Sequence, residues 1–256
     1  MDYWVIIFFS VLGAALGSFL NVVAGRTLSG ESWWGGARSK CPACGVTLGW
    51  KDLIPIASWL ILGGRCRRCG KPIPARYLLV EISGAAAAGL LAWRWGLSAA
   101  LPAGLAAVFG LFLNALTDLE DGYVFDVFTI AMGGCGLFLR LLPGGGSLLD
   151  GLLGGVAGFA VIALIIFLSR GGMGWGDATL AAGTGMIVGW KFILLTLYLG
   201  FMAGGLFSAL LLAAGRIKRK DSLPLVPFIA LGGLITLLFG PGILAFFNIF
   251  PGPPWF

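Results

Sequence analysis

Apolar positions dominate this chain in long blocks, covering Tyr3 to Ala24, Tyr77 to Trp95, Leu97 to Leu116, Val127 to Leu142, Gly151 to Ser169, Phe192 to Ala214 and Leu225 to Phe250. A bilayer core takes about 20 apolar helical residues at about 1.5 Å each, so each block predicts a membrane-spanning helix. An eighth block, Ala178 to Trp190, has only 13 residues and is open to three readings: a short span, a re-entrant piece or a buried helix. Only Gly25 to Arg76 departs from the apolar background, which makes it the candidate for a separate loop domain. No internal repeat is evident. The expected fold is an all-α polytopic membrane protein of about eight transmembrane helices with one large cytoplasmic loop.

Charge placement selects the eight-helix arrangement. With the N-terminus outside, the cytoplasmic side receives the nine Lys and Arg of Arg26 to Arg76, then Arg170, then the cluster Arg216, Lys218, Arg219 and Lys220; Arg94, Arg140 and Lys191 fall outside. Removing the short span would put the Arg216 cluster outside, against the positive-inside tendency, so the span is kept and Lys191 snorkels to the far interface. The first block has no preceding positive charge and is longer than a signal-peptide core, so it reads as a retained helix. Small-residue pairs at Gly13 and Gly17, Gly151 and Gly155, and Gly200 and Gly204 are spaced for close helix packing.

Composition agrees and excludes much. Of 256 residues, 59% are hydrophobic and 11% charged, and the mean hydropathy is +0.98. The net charge of +6 is carried mostly by loops, which reads as topology and not as nucleic-acid binding. The chain has no histidine, which rules out His-dependent triads, H-E-x-x-H metalloproteases and imidazole proton shuttles. The available chemistry belongs to carboxylates, thiols, hydroxyls and amines.

Four of the five cysteines form two C-x-x-C knuckles, Cys41 with Cys44 and Cys66 with Cys69, separated by 21 residues and each followed by a glycine, Gly45 or Gly70. Two thiolates two residues apart grip one side of a tetrahedral ion, and the following glycine allows the turn that aims backbone amides at the sulfurs. A reducing compartment disfavours disulfides, so a structural zinc site with four cysteine ligands and no open coordination position is expected. Cys135, alone in an apolar block, reads as a small core residue.

Acidic residues gather at Asp118, Glu120, Asp121 and Asp126, and at Asp177 after the run Gly171 to Gly176. Asp126 and Asp177 have an ordinary use as caps of the helices that follow, and Asp121-Gly122 reads as a turn. The second use needs both places together: two distant segments put a carboxylate at the same membrane depth, where ionisable groups are functional candidates. If Asp118 and Asp177 approach closely, mutual repulsion makes the pair hold a single proton. The ionised member then takes a proton from an attacking water while the protonated one polarises the scissile carbonyl. Glu81, inside the second span, requires a partner such as a nearby Arg.

These residues resemble one family. The segments Gly17 to Val23, Arg38 to Gly45, Leu53 to Leu60, Gly64 to Gly70 and Arg76 to Glu81, then Asp118 and Gly174-Trp175-Gly176-Asp177, are similar in kind and order to bacterial type IV prepilin peptidases, the G-x-G-D intramembrane aspartic proteases. The resemblance covers nearly the whole chain. It implies an inner-membrane enzyme that removes the leader from type IV prepilins or type II secretion pseudopilins after a glycine at the cytoplasmic face, and methylates the new N-terminus from S-adenosylmethionine. By resemblance Asp118 and Asp177 are the catalytic pair, Cys41, Cys44, Cys66 and Cys69 the zinc ligands, and the cysteine loop belongs to methyl transfer. The implied partners are prepilin or pseudopilin substrates and the lipid bilayer, with no nucleic acid. The expected organisation is a first transmembrane helix over 1–24, the zinc loop over 25–76 and a peptidase domain over 77–256.

Two positions depart from the family pattern. Phe125 stands where a proline often precedes the second aspartate of the D-x7-D stretch, and Thr179 where a lysine often follows the catalytic aspartate by two residues. A transporter using intramembrane carboxylates as a proton or cation relay is the competing reading; it calls for inverted repeats with broken helices in both halves, and only one glycine-interrupted short segment is visible. A Ser-Lys hydrolase ranks last, because Lys191 is expected on the opposite side from most candidate serines.

Overall fold

A computed structural model describes residues 3–34, 38–170, 172–218 and 223–247. Gly171, Arg219, Lys220 and the tail of the last apolar block, on which the sequence reading also drew, lie outside the described residues. The helices are α1 (Tyr3–Leu28), α2 (Ala57–Ile61), α3 (Ala75–Trp95), α4 (Ala100–Asp121), α5 (Asp126–Arg140), α6 (Leu148–Leu168), α7 (Trp175–Val188), α8 (Trp190–Ala213) and α9 (Val226–Phe246). Two isolated β-bridges, Lys40 with Thr47 and Arg65 with Pro72, are the only strand-like pairing among the described residues. The chain divides into two compact units, residues 1–96 and 97–256.

Six of these helices, α1, α3, α4, α6, α8 and α9, are long and apolar enough to cross a membrane. The blocks at Val127 to Leu142 and Ala178 to Trp190 form shorter helices, α5 of 15 residues and α7 of 14. At about 1.5 Å per residue each is about 20 Å long, short of a hydrocarbon core of about 30 Å. Both stop for local reasons. Pro143 and the positive-φ Gly144 and Gly146 follow α5, and Gly189, at φ 86°, separates α7 from α8 and lets Trp190 begin the next helix.

In the first unit α1 and α3 pack together, so α3 sides with the helix before the loop rather than with the helices after it. The approach is backbone to backbone. A Cβ on Gly17 would sit 2.8 Å from the Val80 carbonyl oxygen, and Gly13 and Gly84 face each other at the same seam. In the second unit α7 is surrounded: it packs on α4, α5, α6 and α8, while α9 lies on α4 and α8. The Gly151–Gly155 pair packs on Met186 of α7, and the Gly200–Gly204 pair on Phe228 and Ile229 of α9, so the predicted small-residue contacts are realised.

Two single-residue readings are corrected here. Cys135 is exposed and not a core residue, because α5 turns Met132, Gly133 and Gly136 toward its neighbours and leaves position 135 on another face. Arg140, assigned to the outer side by the charge count, is 4% exposed. It donates to the carbonyls of Met186 (3.0 Å), Ile187 (2.8 Å) and Ser147 (2.8 Å) and pairs with Asp150 at 3.2 Å. The last carbonyls of a helix have no intrahelical partner; Arg140 supplies donors for two of them at the end of α7.

Candidate active site and metal centre

The two cysteine knuckles are built alike. In each, the first cysteine N–H donates to a carbonyl five residues on, Cys41 to Val46 and Cys66 to Lys71, both at 2.9 Å. The glycine after the second cysteine returns its N–H to the first, Gly45 to Cys41 at 2.8 Å and Gly70 to Cys66 at 2.9 Å. Both glycines are left-handed, at φ +69° and +68°, a conformation that only glycine takes without steric cost. The four Sγ atoms all lie within 4.8 Å of one another, and Cys41 and Cys69 are 3.9 Å apart. Tetrahedral thiolates at about 2.3 Å from zinc stand about 3.8 Å from each other, so this donor set fits such an ion.

The surroundings favour thiolate at Cys41, while at Cys44, despite the Val46 amide, burial and the neighbouring Cys41 and Cys69 push the thiol up to about 11. Backbone amides of Ala43 and Cys44 aimed at the Cys41 sulfur push its thiol down to about 7. Beside the knuckles a cavity of about 330 Å³ is lined by Cys41, Cys66, Leu62, Ile73, Asp52 and Arg67 among others. Asp52 accepts from Arg67 at 2.8 Å and from the Gly49 amide at 3.2 Å. The Arg67 guanidinium holds its carboxyl below the usual carboxylate range.

In the second unit the acidic clusters occupy helix ends that meet. Asp118 lies in the last turn of α4, which closes at the left-handed Gly122 with its N–H on the Asp118 carbonyl at 3.0 Å; the Asp121-Gly122 turn is therefore a helix C-cap. Asp177 lies in the first turn of α7. The N-cap positions are Phe125 and Gly174, so both acids stand inside the first turn; Asp177 still serves the helix end, since its carboxylate takes the Gly174 amide.

Asp118 Oδ2 accepts the N–H of Val226, the first residue of α9, at 3.0 Å. Asp118 is also near enough for its charge to act on Asp177, and both residues are half-buried. Gly176 makes this approach possible. A Cβ there would meet Val124 Cβ at 2.8 Å, so the start of α7 can pack on the α4–α5 loop only without a side chain. Asp126 is engaged differently: its Oδ1 accepts the Thr179 hydroxyl at 2.7 Å, and the same hydroxyl lies 2.9 Å from the Gly176 carbonyl. Thr179, one of the two departures, thus ties α7 to α5 beside Asp177 with a neutral donor. Phe125, the other, packs edge-on with Phe128 at 6.0 Å.

Glu81 has the partner its burial calls for, a main-chain amide of the loop. Its Oε2 accepts the Ile56 amide at 2.7 Å. The Val226 amide, Thr179 and Ile56 were not legible as partners, since each lies 25 or more residues away in sequence from the acid it meets.

Known proteins match both units. Residues 11–95 match the Bacterial Peptidase A24 N-terminal domain, and residues 105–209 the Type IV leader peptidase family. Among similar proteins, the "Prepilin leader peptidase/N-methyltransferase" of Burkholderia pseudomallei (strain 1026b) is 34% identical over 260 residues, spanning 90% of this chain and 84% of that protein. The protein of the same description from Pseudomonas aeruginosa is 30% identical over 269 residues, spanning 94% and 93%, and that from Bacillus subtilis is 33% identical over 213 residues, spanning 82% and 85%. No solved structure matches. With both halves matched in order and relatives aligned along most of its length, this chain belongs to the prepilin leader peptidase/N-methyltransferase family of membrane enzymes.

Proposed function

We propose that this protein is an aspartic endopeptidase of the inner membrane that removes the leader from type IV prepilins or type II secretion pseudopilins after a glycine. In the same reading it methylates the new N-terminus. The observation that carries the peptidase reading is that α4 and α7 pack together, with Asp118 in the last turn of one and Asp177 in the first turn of the other, near enough for their charges to interact. Two carboxylates that share a proton can activate water without histidine, which this chain lacks. The ionised acid accepts a proton from water as its oxygen attacks the scissile carbonyl, and the protonated acid donates to the carbonyl oxygen. The first acid then gives its proton to the nitrogen, and as the amine leaves the second acid takes back a hydroxyl proton, which restores the starting pair. The Val226 amide on Asp118 Oδ2 holds that carboxylate in one orientation through the cycle.

Eight crossings, with α5 and α7 as short ones, an exterior N-terminus and the loop and both aspartates on the cytoplasmic side, form the topology of this reading. The positive-inside distribution supports it. Cys41, Cys44, Cys66 and Cys69 would hold a structural zinc that clamps residues 25–76, and four protein ligands leave it no open position for catalysis. The helices from residue 77 onward would carry cleavage, and the loop the transfer of a methyl group from S-adenosylmethionine; the "N-methyltransferase" in the relatives' descriptions supports the second activity.

Co-expression with a candidate prepilin, read by intact mass, tests both activities. Leader loss with an added methyl in the parent, and neither leader loss nor methyl with Asp118→Asn or Asp177→Asn, is the expected result. Cleavage near the parent level in either variant overturns the aspartic mechanism.

A further inference from the structure

Glu81 takes no part in the activities above, yet it is 8% exposed on a membrane helix. A carboxylate in such a place is unfavourable unless something donates to it. Its donor is a residue in a rare conformation. Ile56, a β-branched residue, stands at φ 62° and ψ −55°. The Ala57 N–H reaches the Pro55 carbonyl across it at 2.6 Å. That is a three-residue turn with positive φ, the strained form, at a side chain least suited to it. Such strain persists only where the surroundings impose it, and it concentrates at functional sites. A glycine at position 56 would make the same turn without steric cost.

The turn is held from both sides. On the helix side, Gly17 of α1 would carry a Cβ only 3.2 Å from the Glu81 Cα, so α3 lies tight against α1 at this residue. On the loop side, α2 begins directly after Ile56. Its Trp59 donates from Nε1 to the Ile73 carbonyl at 3.4 Å. The Trp59 ring lies over Gly64, where a Cβ would come within 2.7 Å. Gly64 in turn accepts the Ile73 N–H at 2.7 Å, two residues before Cys66. A continuous series of contacts therefore runs from the Glu81 carboxylate to the second cysteine knuckle.

We propose that Glu81 is a positioning residue: by accepting the Ile56 amide it latches the cysteine-bearing loop onto α3 and sets the loop's geometry for methyl transfer. The functional half of this rests on the assignment of methyl transfer to the loop; the latch itself does not. The test uses the full chain in detergent or nanodiscs and follows four readouts: exchange of the Ile56 amide hydrogen, zinc content, leader cleavage and methylation. With Glu81→Ala, exchange at Ile56 rises about tenfold or more and methylation falls by a similar factor, while zinc content and cleavage stay at the parent level. Glu81→Gln, whose side-chain oxygen accepts the same bond, retains most of the methylation. Adding Ile56→Gly to Glu81→Ala restores part of it, because glycine makes the turn without the anchor. Unchanged exchange at Ile56 in Glu81→Ala overturns the latch. Parent-like methylation in Glu81→Ala, equal loss in the Gln variant, or parallel loss of cleavage overturns the positioning role. If the parent itself cleaves but never methylates, the assignment of methyl transfer fails, and the exchange measurement still decides the latch.

Discussion

The cysteine centre and the carboxylate site are assembled in opposite ways. Each knuckle is complete within eight residues: two thiols, one left-handed glycine and a pair of short hydrogen bonds, made twice with nearly the same geometry. The carboxylate site has no such local unit. Asp118, Asp177 and the Val226 amide come from three helices and meet because glycines at 176, 183 and 185 let α7 press against its neighbours. The first centre is robust to changes elsewhere and fragile to changes in its own few residues. For the second, a substitution far from the acids can act as strongly as one beside them.

The largest expected effect is on the acids themselves. Asp177→Asn or Asp118→Asn lowers leader cleavage by about 10²–10⁴-fold, the scale of a lost general acid or base. Zinc content and the fold, measured by metal analysis and thermal melting, remain as in the parent. A comparable effect should come from the far end of α7. Arg140→Met leaves the Met186 and Ile187 carbonyls and Asp150 without their donor and costs about 3 kcal/mol or more. Melting temperature and cleavage should fall together while zinc stays bound; an unchanged melting temperature would contradict the clamp. In the loop the pattern inverts. Cys41→Ser weakens zinc binding by about a hundredfold or more and harms methylation more than cleavage. Equal zinc content in mutant and parent would remove Cys41 from the ligand set.

Smaller substitutions sharpen the contrast. Gly45→Ala meets no atom within 4 Å, so its cost of about 1 kcal/mol is purely that of holding an alanine at φ +69°. It should reduce zinc retention under chelator challenge and leave cleavage alone. The smallest effect concerns Asp52. Because Arg67 lowers its folded-state pKa, the contribution of the pair is present above the ordinary carboxylate pKa and is lost as pH falls through the folded value. Protease resistance of the loop should decline at acid pH in the parent, and Asp52→Asn should flatten that decline.

Legibility followed the same division. The knuckles could be read because ligand spacing, glycine turns and amide direction are all set within a few residues. The apolar blocks were equally plain, since each buries or exposes its own length to lipid. The block at Val127 to Leu142 forms a helix of nearly its own length, but the burial of Arg140 at its end depends on carbonyls 46 and 47 residues away and was not legible. Cys135 was misplaced because apolar blocks carry no period that separates the lipid face from the packed face. Glycine run and acids marked Asp177, but its neighbours Val124 and Thr179 became partners only through packing.

What the chain settled alone is its membrane character, its two metal-ready knuckles and the identity of its unusual acids, each fixed by composition or by residues adjacent in sequence. The tertiary structure alone decided that Arg140 closes the end of α7, that Asp118 takes the Val226 amide, and that Glu81 takes the Ile56 amide. Those contacts join segments 25 to 108 residues apart. Their partners are set by which helix faces can approach, and in lipid that depends on small residues and buried polar donors meeting across helices.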